Sequence, residues 1–200
     1  MAAACAGAAS AQSINIPTDG NNIVFWGPDA IGDQSYGQAF TAPNSKLLDY
    51  SLTVSGDAFQ FVSQVYAWDG SGTTGSALFT SEVLTNPPAN TTFTFKPDIA
   101  LTSGQMYIAL VTPDPGGVNI GGSGVGSIAA NFTNGAPSEF FFAEGDPGVH
   151  NNWFSFIGNA EFHADFAAGV PEPATWAMML FGFGGLGAAI RSRRKQAATA

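Results

Sequence analysis

The sequence predicts an all-β protein, an antiparallel β-sandwich of jelly-roll type, followed by a single C-terminal hydrophobic helix. Three observations lead to that class. Apolar and polar residues alternate with period two in short stretches through most of the chain, the pattern of strands with one buried face. Gly and Pro number 25 and 12 among 200 residues, and they cluster between those stretches, where tight turns need them. Amphipathic helical spacing is absent from the body, so no crossover helix is available for a parallel sheet. The 45% hydrophobic share, with 17 Phe, is enough to fill one core. The length fits one domain of about 150 residues plus terminal segments.

In chain order, strands are expected first at Asn22–Trp26, Tyr36–Phe40 and Leu48–Val54. In the third of these, Leu48, Tyr50, Leu52 and Val54 take every second place and so share the buried face. Past the turn Gly56-Asp57 the alternation resumes in Phe59–Trp68, which the turn Asp69-Gly70-Ser71-Gly72 ends. Ala77–Leu84, Thr92–Lys96 and Met106–Thr112 follow, the last closed by Asp114-Pro115-Gly116-Gly117. Glu139–Ala143, Trp153–Ile157 and Ala160–Ala167 complete a set of nine or ten short strands, the count of a sandwich or jelly roll.

Charge is distributed unevenly. From Ser13 to Val170 there are fourteen acids and only Lys46 and Lys96, a net of −12; from Pro171 to Ala200, Glu172 stands against Arg191, Arg193, Arg194 and Lys195, a net of +3. A body of −12 repels phosphate backbones, which excludes nucleic acid as a partner. The single cysteine, Cys5, permits no intrachain disulfide and no thiolate metal cluster.

The two ends read as export signals. Met1–Ser13 is small and apolar and contains Ala9-Ser10-Ala11, a pattern a signal peptidase accepts, with Gln12 as the new N-terminus. At the other end, Val170-Pro171-Glu172-Pro173 precedes seventeen uncharged residues, Ala174 to Ile190, and then four cations. At 1.5 Å per residue that run is near the minimum for a hydrocarbon core of about 30 Å. Trp176 suits the outer headgroup region, and Arg191, Arg193, Arg194 and Lys195 stop the span on the inner side. Two prolines so close cannot both lie inside a helix, so Val170–Pro173 is an extended stub outside the bilayer. The chain thus divides into a signal-peptide remnant (1–12), a β-sandwich ectodomain (13–168), a sorting segment (169–195) with its helix at 174–190, and a tail (196–200).

Pro171-Glu172-Pro173, Trp176-Ala177, the glycine-bearing apolar run and the Arg-rich end together resemble the PEP-CTERM sorting signal, in its PEPxxWA variety. That resemblance implies an exported protein of a bacterium with an outer membrane, briefly anchored in the inner membrane with its body outside the cytoplasm. It also implies a partner: an exosortase, a membrane-embedded cysteine transpeptidase-like enzyme that removes the tail and leaves the body at the surface or outside the cell. Pro171, Glu172, Pro173 and Trp176 would be recognition residues rather than catalytic ones. The expected function is that of a structural or adhesive surface or extracellular-matrix protein, not an enzyme, without a cofactor.

Within the body, Tyr66 and Trp68 share one strand face and offer a sugar-stacking platform. They carry the alternative function, a carbohydrate-binding surface module with extracellular polysaccharide as partner; a plain aromatic core is the competing reading. Glu161, His163 and Asp165 alternate with Ala160, Phe162, Ala164 and Phe166, which gathers one imidazole and two carboxylates on one face. A solvated polar face is the simpler reading, and no metal is assigned. Glu144, Asp146 and His150 in the loop EGDPGVHNN carry calcium-type oxygen ligands but lack the spacing of an EF-hand. No Gly-x-Ser-x-Gly elbow accompanies the two histidines, so a serine hydrolase lacks its parts.

Overall fold

The computed structural model describes residues 10–30, 35–133, 139–168 and Phe183. The chain divides into a body, residues 11–167, and a terminal unit, residues 1–10 and 168–200. The helix expected at 174–190 lies outside the described residues apart from Phe183. Among the described residues no helix is long and apolar enough to cross a membrane.

The body is built from short strands: β1 (Gln12–Ile16), β2 (Asn21–Trp26), β3 (Ser35–Thr41), β4 (Lys46–Gly56), β5 (Gln60–Trp68), β6 (Thr73–Thr80), β7 (Leu84–Thr85) and β8 (Thr91–Phe95). Then come β9 (Ile99–Ala100), β10 (Met106–Thr112), β11 (Gly126–Asn131), β12 (Phe140–Ala143), β13 (Trp153–Phe156), β14 (Asn159–Ala160) and β15 (Phe162–Phe166). Two three-residue 3-10 turns, Pro115–Gly117 and His150–Asn152, interrupt them. An eight-stranded sheet runs β1-β15-β4-β11-β14 with β2, β8 and β9 at its sides; a seven-stranded sheet runs β13-β12-β3-β10-β5-β6 with β7 beside β5. Every pairing is antiparallel, the order expected of a chain without crossover helices.

The sheets face each other across an aromatic core. Phe40 of the second sheet stacks on Phe162 of the first at 5.6 Å, and Tyr50 stacks on Phe95 at 5.0 Å and meets Phe79 edge-on at 6.3 Å. Polar groups also cross the core. The Tyr50 hydroxyl donates to Ser63 Oγ at 2.6 Å, and Ser63 Oγ donates to the Leu110 carbonyl at 2.7 Å. Gln38, buried in β3, donates to Asn159 Oδ1 at 3.1 Å and accepts from the Ala160 amide at 2.8 Å, which ties β3 to β14. Buried polar groups satisfied in this way fix how one sheet sits on the other.

Strands appear at all the expected places, with shifted bounds. The stretch expected at 77–84 is two strands, β6 and β7, and that expected at 160–167 is β14 and β15. Alternation gave no sign of β1, β9 or β11. β11, Gly-Ser-Ile-Ala-Ala-Asn, is small because it is squeezed: a Cβ on Gly126 would lie 2.5 Å from the Trp26 indole nitrogen, and Ala129 and Ala130 are buried on opposite faces. One facing is corrected. Leu48 does not share the core with Tyr50, Leu52 and Val54; it is 36% exposed, while Leu47 is fully buried. The pairing of β15 with β4 slips between Asp165 and Phe166, so Phe166 faces Leu47 and the intervening Leu48 bulges outward.

β1 and β15, the first and last strands, pair from Gln12 opposite Phe166 to Ile16 opposite Phe162. Among the described residues these strands bring the two ends of the body side by side in one sheet.

The bulge is open to test by unfolding in denaturant. Leu47→Ala should cost about 2–5 kcal/mol through lost burial and a cavity, whereas Leu48→Ala should stay within about 0.5 kcal/mol; the reverse ranking would show that Leu48 faces the core.

Candidate functional site

Pro171, Glu172, Pro173, Trp176, Arg191, Arg193, Arg194 and Lys195 lie outside the described residues, so the geometry concerns the body. Tyr66 and Trp68 do share a face, the outer face of the second sheet, but they are 5% and 4% exposed. They belong to a small second core with Ala39, Ile108, Leu110, Ala143 and Trp153. Trp68 lies 4.7 Å from the Phe141 ring and 5.2 Å from that of Trp153. The loop 144–152 comes down over them: the Pro147 carbonyl accepts from Thr73 Oγ1 at 2.7 Å and from the Trp153 indole at 3.0 Å, and a Cβ on Gly148 would stand 3.4 Å from the Tyr66 hydroxyl. Burial, and secondly the Asp146 charge, push the Tyr66 phenol up. The expected stacking platform is thus corrected to covered core, because buried rings under the loop present no surface to a sugar.

Of the calcium-type candidates Glu144, Asp146 and His150, the last two have separate partners. Asp146 Oδ1 accepts the Gly148 amide at 2.8 Å. His150 Nε2 meets Asp69 Oδ2 at 2.7 Å and its Nδ1 meets Asn151 Oδ1 at 3.0 Å. Asp69 Oδ1 in turn accepts the amides of Ser71 and Gly72 and the Ser71 hydroxyl, at 2.9 to 3.0 Å. The arrangement latches the β5–β6 turn to the loop that covers Tyr66 and Trp68. His150 is held above its ordinary value first by Asn151 and then by Asp69, and Asp69 is held well below the carboxylate range by His150 and the turn amides. Asp114 is raised by burial and by the Asp146 charge.

The alternation on β15 is as read. Phe162, Ala164 and Phe166 are buried, and His163 and Asp165 point outward. Their third companion is Asp49 of β4 rather than Glu161. Ligating atoms of Asp49, His163 and Asp165 all lie within 4.8 Å of one another, and His163 Nε2 is 3.3 Å from Asp165 Oδ2. Asp49 stands directly opposite Asp165 in the register. Glu161 falls between β14 and β15, its amide bonded to the Ala129 carbonyl of β11, and takes no part in the cluster. Period two on one strand gave two members; the third depended on a pairing between strands over a hundred residues apart, which no local pattern encodes.

A cleft between the two sheets, where β6 and β7 approach β8, has no signature in the alternation. It encloses about 530 Å³; Phe79, Leu84 and Phe93 form apolar walls, and Thr80, Glu82 and Lys96 supply polar groups.

The latch predicts a pH response with a definite sign. His150 binds its proton more tightly folded than unfolded, so its contribution is complete below the ordinary value of 6.5 and is lost as pH rises through the raised value. A proton NMR titration of His150 should give a midpoint above 6.5, and Asp69→Asn should lower it; a midpoint unmoved by that change would break the latch account.

No curated protein and no solved structure matches the chain. Residues 169–195, which begin directly after the body, match the PEP-CTERM protein-sorting motif. The chain is therefore a carrier of the PEP-CTERM signal, and the motif implies export and processing by an exosortase.

Proposed function

We propose that the chain is a non-catalytic, structural or adhesive protein of the cell surface or extracellular matrix, with a jelly-roll body. It is held transiently in the inner membrane by its C-terminal helix, body outward, until exosortase processing frees or attaches the body. The observation that carries this reading is the position of the motif at 169–195 immediately after a body whose strands end at Phe166 and whose first strand starts at Gln12. The acidic surface, −12 from fourteen acids and two lysines between Ser13 and Val170, keeps it soluble and separate.

In this reading the stub is recognised through Glu172, the only acid after Val170, by a positive group on the enzyme. Glu172→Gln should leave unprocessed protein in the membrane fraction, and deletion of 174–195 should send the body to another fraction. Unchanged fractionation of both variants would overturn the assignment.

A second reading, binding of extracellular polysaccharide, is favoured by the cleft beside β8 rather than by Tyr66 and Trp68. Phe79, Leu84 and Phe93 line it with apolar surface, and Glu82 and Lys96 supply charged hydrogen-bond partners, a combination that suits a sugar ring. Glu82→Gln with Lys96→Ala should weaken binding to a responsive polysaccharide about tenfold while leaving the melting temperature in place. No binding across a broad panel of polysaccharides would dispose of this reading.

A further inference from the structure

We propose that Asp49, His163 and Asp165 form a binding site for one divalent transition-metal ion of the zinc class on the outer face of the first sheet.

The three side chains come from two adjacent central strands, β4 and β15, whose backbones are held by pairing on both sides. His163 and Asp165 are two residues apart and therefore on one face. Asp49 is the cross-strand partner of Asp165, so the trio forms a compact triangle rather than a row. With one nitrogen and two carboxylate oxygens already within 4.8 Å of one another, modest side-chain rotation brings them to the spacing of about 3.4 Å that metal–ligand bonds of about 2.1 Å require.

Electrostatics favours a cation there. Two carboxylates directly opposite on neighbouring strands repel, and His163, 3.3 Å from Asp165, is the cluster's own partner. Lys46, at the start of β4, is drawn away by Asp98 at 2.8 Å. The register neighbours are small and polar: Ser13 beside Asp165, and Asn15 and Ser51 beside His163. None covers the site with apolar bulk. With 41% and 45% of the His163 and Asp165 side chains exposed, water can complete the coordination, as in open metal sites. The imidazole decides the class: calcium and magnesium take oxygen ligands almost exclusively, whereas a mixed imidazole and carboxylate set suits zinc and its neighbours. This site shares no residue with the cleft, and it stands whether or not the body binds a polymer.

His150 and His163 are the two histidines of the chain, which makes the test clean. The full chain, untagged, is titrated with Zn²⁺ by calorimetry and with Co²⁺ under proton NMR. The expected result is one ion per chain, with Co²⁺ broadening the ring protons of His163 while those of His150 stay sharp. His163→Gln should abolish the binding. Asp49→Asn should weaken it by at least the about tenfold that losing even an outer ligand-orienting group costs, and Glu161→Gln should leave it unchanged. All three positions are partly exposed, so circular dichroism should be unaffected. Absence of binding, binding that survives His163→Gln, or equal broadening of both histidines would overturn the proposal, the last by revealing general adsorption to an acidic surface.

Discussion

Tyr50 joins the two layers of this protein, and the rest of the body is arranged around it. Its ring lies in the core against Phe95, Phe79 and Phe162, and its hydroxyl crosses to the second sheet, where Ser63 relays the bond to the Leu110 carbonyl. Full burial pushes the phenol far above its ordinary value, so it remains a neutral donor. An apolar ring alone would let one sheet slide over the other. The hydroxyl, with the Gln38–Asn159–Ala160 bonds beside β14, selects one alignment, since any other would leave buried donors and acceptors unpaired.

That alignment has consequences at both ends of the chain. β4 can serve as the hub of the first sheet, pairing with β8, β9, β11 and β15, because its inner residues are fixed by the core. β15 in turn takes β1 as its outer neighbour. The first and last described strands thus pair with each other within the body.

Much of the architecture was legible because the signal for a strand is local. Period two placed ten stretches, and the facing of His163 and Asp165 on β15 follows from it directly. The C-terminal signal was legible for the same reason, since prolines, apolar run and cations are written consecutively. What escaped the sequence depends on partners distant in the chain. The bulge that exchanges Leu47 for Leu48 arises from a slip against Phe166. The small residues of β11 answer the crowding of Trp26 at Gly126. Tyr66 and Trp68 read as a platform until the loop 144–152, fastened through Pro147 and through His150 to Asp69, proved to lie over them. Asp49 joined the histidine cluster in place of Glu161 because register, not spacing, decides which side chains meet across strands.

Whether the C-terminal segment is an address that is read and then discarded decides the function of this protein. The most direct measurement is the intact mass, with terminal peptide mapping, of the protein recovered from outside the cells that make it. A product that ends within the stub before Ala174 and retains the whole body from Gln12 to Phe166 is the predicted result. A recovered product that still carries residues 174–195 would contradict it.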